Sequence, residues 1–107
     1  MNVKKYTTQP GLFGVTLYFD LNGNKVGESR PRGILDRLDY YDKQGKLKAY
    51  SEKAPLGQRV YYDARGNKIG TSGPGMLESI IYYDNCGRKV GISEKAPLGG
   101  TVYYEIK

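Results

Sequence analysis

The 107-residue sequence contains no histidine, no tryptophan, a single cysteine and only two phenylalanines. Without histidine, the usual base for a serine or cysteine nucleophile is missing and the common zinc donor set is depleted. No enzyme, metal or cofactor is expected. One cysteine, Cys86, cannot form an intramolecular disulfide, so the chain lies outside the class of small secreted domains stapled by disulfides. A reducing, cytoplasmic setting is expected; an extracellular protein whose leader had been removed would read the same way. Residues 1–8 contain no apolar run of signal-peptide type, and no stretch reaches the length needed to span a membrane.

Tyrosine and glycine take the place of the missing residues. There are 11 tyrosines, nine of them in the two adjacent Tyr-Tyr positions of one motif, so the aromatic content belongs to a repeat. Tyr82-Tyr83-Asp84-Asn85-Cys86-Gly87-Arg88-Lys89-Val90-Gly91-Ile92-Ser93 has a close second copy beginning at Tyr61. A further copy begins at Tyr18 and a degenerate one at Tyr40. The aspartates fall at Asp20, Asp42, Asp63 and Asp84, and the glycines at Gly23, Gly45, Gly66 and Gly87 keep the same spacing. A fixed period of this size means one supersecondary element per repeat. The connectors alternate: residues 52–57 return unchanged as 94–99, so two units make a larger repeat.

Each unit has two short β-type runs around Asp-x-x-Gly. That pattern specifies a hairpin with a type I turn, the Asp carboxylate accepting backbone N–H groups and Gly in the left-handed position of a bulge. Hairpin units are expected at residues 15–29, 37–51, 58–72 and 79–93. A lone second half stands at 3–8 and a lone first half at 100–107. The fold is therefore all-β, an antiparallel meander of about five hairpins. Pairing of the terminal halves within one chain closes it into a barrel-like ring, and pairing between chains gives a head-to-tail assembly. One open twisted sheet is the alternative.

A three-residue loop sets Tyr18 opposite Val26, Tyr61 opposite Ile69 and Tyr82 opposite Val90. The other face sets Phe19, Tyr62 and Tyr83 against Lys25, Lys68 and Lys89, and Leu17, Val60 and Ile81 against Gly27, Gly70 and Gly91. The better-buried face is then Tyr18, Tyr61, Tyr82, Val26, Ile69, Val90, Ile80 and Ile92. In the second unit the same count inverts the faces, because the step from Asp20 to Asp42 is one residue longer and a one-residue slip turns a strand over. The connector leucines Leu35, Leu56, Leu77 and Leu98 are expected to plug one end of the core.

The Asp ladder offers no metal site, since equivalent positions two strands apart are about 10 Å apart and each Asp has a role in its own turn. Residues 20–24 lack the closing ligands of a calcium loop. Cys86 stands at a turn position with only Arg88 and Lys89 to activate it. The net charge of +6 favours solubility and mildly attracts polyanions. Basic residues gather at the hairpin tips beside a row of tyrosines. The candidate binding residues are Tyr41, Tyr62, Tyr83 and Tyr104 with Lys25, Lys68, Lys89, Arg65 and Arg88. Such a surface suits a glycan, or a polyanion held by phosphate contact and stacking.

Tyr61-Tyr62-Asp63-x-x-Gly66-Asn67 and Tyr82-Tyr83-Asp84-x-x-Gly87-Arg88 resemble the tyrosine-aspartate (YD) repeats of RHS-type proteins. More distantly the units resemble MORN-type repeats and the repeats of bacterial choline-binding modules. The RHS-type resemblance implies a β-hairpin array with a scaffold or binding role, bacterial or phage-borne, and carries over no ligand residue: four units are too few for an RHS-type shell, and the tryptophans of choline cages are absent. A non-catalytic structural or interaction module is the expected function, with a protein partner or self-association. A carbohydrate- or polyanion-binding module is the alternative.

Overall fold

The structure, a computed structural model, describes residues 2–33, 36–97 and 99–106. Runs rich in tyrosine and β-branched residues, punctuated by glycine, form ten strands. They are β1 (Asn2–Pro10), β2 (Thr16–Phe19), β3 (Lys25–Arg32), β4 (Arg37–Asp42), β5 (Leu47–Lys53), β6 (Arg59–Asp63), β7 (Lys68–Pro74), β8 (Ile80–Asp84), β9 (Lys89–Lys95) and β10 (Thr101–Ile106). Each strand pairs antiparallel with the next, and β1 pairs with β10, so the meander closes into a barrel. Thr7 faces Val102 and Thr8 faces Thr101 across that seam. The two terminal half-units thus satisfy each other within one chain, which removes both sheet edges. No helix among the described residues is long and apolar enough to cross a membrane.

The turns have the expected chemistry. In the third hairpin Gly66 N–H bonds the Asp63 carbonyl and Asp63 N–H bonds the Asn67 carbonyl. Gly23, Gly45, Gly66 and Gly87 all have φ between 83° and 94°, the left-handed bulge position. An antiparallel meander puts all four tips, and the free ends of β1 and β10, at one end of the barrel. The connectors occupy the other end.

The register differs from the sequence expectation by one residue. Phe19, Tyr62 and Tyr83 do face Lys25, Lys68 and Lys89, but Tyr18, Tyr61 and Tyr82 face Gly27, Gly70 and Gly91. Val26, Ile69 and Val90 are extra residues in a second β-bulge, which the three-residue loop alone does not reveal. Leu17, Val60 and Ile81 consequently face Glu28, Thr71 and Ile92. Glycine follows the bulge for a steric reason: a Cβ on Gly27 or Gly70 would overlap the carbonyl oxygen of Tyr41 or Tyr83 on the next strand.

The second unit is not inverted. Tyr41 faces Leu47, the bulge falls at Lys48, and Tyr40 faces Ala49. Tyr40 also faces Ser29, as Tyr61 faces Ser51 and Tyr82 faces Ser72. The additional residue is taken up in the connector between β3 and β4, where it turns no strand over.

The assignment of the inner face holds for Tyr18, Tyr61 and Tyr82, leaves Val26 half-buried beside the lumen, and fails for the other aliphatic residues. Ile69, Ile80 and Val90 are exposed, and Ile92 shares the outer face with Ile81 and Tyr104. No apolar side chain among the described residues is fully buried; the buried side chains are Ser29, Asp39, Ser51, Ser72, Ser79 and Ser93. The barrel interior is thus built from tyrosine rings laid over serine and glycine.

Gly70→Ala tests the bulge. It should lower stability in urea melts by about 1–3 kcal/mol, the range for overpacking, whereas Ala49→Gly at the equivalent position should cost only about 0.5–1 kcal/mol. Equal tolerance of the two changes would contradict the close approach.

Candidate functional site

Three surfaces have the composition of a contact site: the turn end, the lumen and the connector end. At the turn end the four aspartates serve their own loops. Asp63 Oδ1 accepts the backbone N–H groups of Arg65 and Asn67, each at 2.9 Å, and Asp20, Asp42 and Asp84 repeat this arrangement. In all four, the N–H four residues on is the main reason the carboxyl lies below its ordinary range. They are structural caps with little capacity left for a ligand.

The basic residues expected here do gather at this end. Lys25 is paired with Glu28 at 2.8 Å and Arg88 with Asp84 at 3.0 Å. Arg65, Lys68 and Lys89 form no ion pair among the described residues. Tyr41, Tyr62, Tyr83 and Tyr104 alternate with the inward tyrosines, so they lie half-buried on the outer wall, two strands apart. No ring contact joins any two of these four among the described residues. They form separate platforms instead of one continuous row.

Tyr62 instead stacks on Tyr50, with ring centres 5.0 Å apart and planes at 20°. The Arg37 guanidinium lies 4.0 Å from the Tyr50 ring centre and donates to Asp39 at 2.7 Å. Asp39 is fully buried and also accepts from Arg32 and from the Tyr41 hydroxyl. Sequence reasoning missed this cluster. Its signal was Tyr50, an aromatic where the other units have Glu28, Thr71 or Ile92.

The lumen is the most regular surface. Backbone positions two strands apart are about 10 Å apart on the wall, yet the Tyr18–Tyr40, Tyr40–Tyr61, Tyr61–Tyr82 and Tyr82–Tyr103 ring centres are 5.5–6.4 Å apart. The rings therefore converge on the barrel axis. Tyr6 continues the series at 6.0 Å from Tyr103. Hydroxyl pairs fix four of the rings: Tyr18–Ser29 at 3.2 Å, Tyr40–Ser51 at 2.9 Å, Tyr61–Ser72 at 3.0 Å and Tyr82–Ser93 at 3.3 Å. The fifth pair is absent because Thr8, at the matching place, bonds Thr101 at 2.5 Å. Tyr103 turns instead over Gly91, where a Cβ would overlap its ring.

Burial is the main cause that raises the phenols of Tyr18, Tyr40, Tyr61 and Tyr103, with Tyr40 pushed up to about 12. Arg59 acts in the opposite sense on Tyr18, Tyr40 and Tyr61. Its guanidinium is anchored to Ser51 Oγ at 2.9 Å and to the Asp36 carbonyl at 2.5 Å.

The connector end corrects the expectation of leucine plugs. Leu56 and Leu77 point outward, and Leu12, Phe13, Leu56, Met76 and Leu77 are between 77% and 95% exposed; Leu35 and Leu98 lie outside the described residues. Three connectors share one geometry, closed by Gly11 N–H to Val15, Ala54 N–H to Gln58 and Gly75 N–H to Ser79. Their central residues Phe13, Leu56 and Leu77 have φ of 57°, 63° and 54°. The left-handed region costs an L-residue about 1–2 kcal/mol, and here it holds apolar side chains in solvent. Nearby charges are neutralised in pairs: Arg32 with Asp39, Lys53 with Asp36 at 3.7 Å, and Lys95 with Glu78 at 3.0 Å.

The titration of these groups limits stability at both extremes of pH. The four aspartates have folded values below their unfolded ones, so their contribution is present above about pH 4 and is lost as pH falls through the folded values. The lumenal phenols have folded values above the ordinary ~10, so their contribution is full below that pH and is lost as pH rises through the folded values. Circular dichroism across pH should show unfolding on both flanks. Phenolate absorbance from Tyr40 should develop near pH 12 together with the alkaline loss, and Tyr40→Phe should remove that step. Titration of Tyr40 by pH 10 with the fold intact would contradict a desolvated lumen.

No family model matches the sequence, and no curated protein matches it. Among solved structures, the X-ray structure of a protein from Arabidopsis thaliana is similar to this chain, with a TM-score of 0.61 and 12% identity over 96% of this chain and 80% of that one. At that identity the likeness is one of fold alone.

Proposed function

We propose that this protein is a non-catalytic interaction module that docks through its connector end, and that a second copy of the chain is the partner. The observation that carries this is the set of apolar side chains Phe13, Leu56 and Leu77, held outward on left-handed backbone. Folding gains nothing from that arrangement, since the side chains bury no surface and the backbone conformation is unfavourable. Large apolar side chains exposed at one end of a small protein are a feature of interaction sites. The charge distribution favours a second copy at this end. Most of its basic residues are paired with acidic ones, whereas the excess positive charge lies at the turn end and repels another copy there.

The alternative, a polyanion held at the turn end, rests on the position of Arg65, Lys68 and Lys89, which form no ion pair among the described residues. It predicts binding that weakens steeply with salt, whereas a neutral glycan would show little salt dependence.

Light scattering separates the accounts. Wild type should gain mass with concentration, and a variant carrying Phe13→Asn, Leu56→Asn and Leu77→Asn should stay near 12.0 kDa. Asparagine tolerates the left-handed region, so the variant should melt no earlier than wild type. A wild type that remains at 12.0 kDa at every concentration, or a variant that still associates, would refute docking through this end.

A further inference from the structure

The six inward tyrosines make an incomplete circuit. Ring contacts run from Tyr18 through Tyr40, Tyr61, Tyr82 and Tyr103 to Tyr6. Among the described residues none joins Tyr6 to Tyr18, although β1 and β2 are adjacent strands. Two cavities of about 360 Å³ each are lined there, and both include Tyr6, Tyr18 and Tyr40. The first is walled otherwise by tyrosine, serine and threonine and contains no charged side chain. The second extends from these rings to Val26, Glu28, Tyr41, Asp42 and Lys48 at the turn end. A barrel of ten strands is wider than the eight that side chains just fill, and among the described residues six inward rings line the lumen.

We infer that the lumen is a binding site for a small uncharged aromatic molecule, whose ring enters the gap between Tyr6 and Tyr18 and completes the circuit. Size and wall chemistry set the class. A cavity of this volume is within the ordinary range for small-ligand pockets, which are mostly apolar with a few polar groups. The neighbouring rings contact one another tilted or edge-on, the geometry in which an inserted ring gains beyond its buried area. An ionised ligand would lose its hydration with no charged side chain on the wall of the first cavity, the guanidinium of Arg59 being already held by Ser51 and the Asp36 carbonyl. Four lumenal phenols are committed to serines and that of Tyr103 lies over Gly91, while Tyr6 lines the gap and its hydroxyl, outside those pairs, can bond one polar substituent. This inference is independent of docking at the connector end.

The probe N-phenyl-1-naphthylamine, neutral and fluorescent only in apolar surroundings, tests it on the full chain. It should bind saturably at one site per chain, with excitation transferred from tyrosine. Nuclear Overhauser contacts should link its ring protons to Tyr18 and Tyr40. Tyr6→Ala, at a position 42% exposed and thus tolerant of truncation, should weaken binding about tenfold, the scale of one lost ring contact and its buried area. The triple asparagine variant should leave the affinity unchanged, and the sulfonated analogue should compete poorly. Binding abolished by the triple variant but not by Tyr6→Ala would place the probe on the exposed connectors and overturn the inference. Absence of saturable binding, or of contacts to Tyr18 and Tyr40 in wild type, would also overturn it.

Discussion

The structure depends on one repeated contact, a tyrosine ring laid inward across a glycine (Ala49 in the second unit) with its hydroxyl meeting a serine eleven residues along the chain. The bulge makes this possible. It adds one residue opposite the Tyr-Tyr pair, which puts glycine in place of an aliphatic residue across from the inward ring. The ring then tilts over the gap towards the axis, and the buried serine hydroxyl is satisfied by the phenol. Because each hairpin repeats the arrangement, the rings contact one another, and the barrel has an aromatic, hydroxyl-lined interior in place of an aliphatic core. Among the described residues no buried side-chain polar atom is left without a partner, which matters in an interior where so many groups are polar.

The two ends of the barrel follow from the same meander. Every Asp-x-x-Gly turn falls at one end, where the carboxylates are consumed by backbone N–H groups and the lysines and arginines remain. Every connector falls at the other, where glycines and prolines make tight returns and leucine, phenylalanine and methionine are pushed into solvent. A small protein thus acquires a basic end, a near-neutral apolar end and a lumen between them. The exposed connector residues bury little surface, and Phe13, Leu56 and Leu77 sit on left-handed backbone.

Much of the fold was legible because the signals were local. The period, the turn chemistry and the unpaired half-units at 3–8 and 100–107 pointed to a hairpin meander with terminal strands available for each other. The register was not legible past the turn: nothing in Lys68-Ile69-Gly70 alone shows that Ile69 is skipped, because the bulge is decided by the close carbonyl of Tyr83 on another strand. That single skipped residue also explains the misplacement of Val26, Ile69 and Val90. The supposed inversion around Tyr40 arose from the same omission. Tyr62, Tyr83 and Tyr104 lie on the outer wall, and Tyr41, which the expected inversion would have turned inward, lies there too; their separation depends on strand spacing. The connector leucines read as plugs because apolar residues are expected to bury themselves; at Leu56 and Leu77 left-handed backbone turns them out.

Closure by the termini is the claim on which the lumen, the absence of edges and the separation of the two ends all rest. Nuclear Overhauser spectroscopy on a dilute mixture of differently labelled chains tests it most directly, through the Thr8–Thr101 pair. Contacts between these side chains seen only within single chains are the predicted result. Contacts appearing between chains, or none at all, would contradict a barrel closed by its own ends.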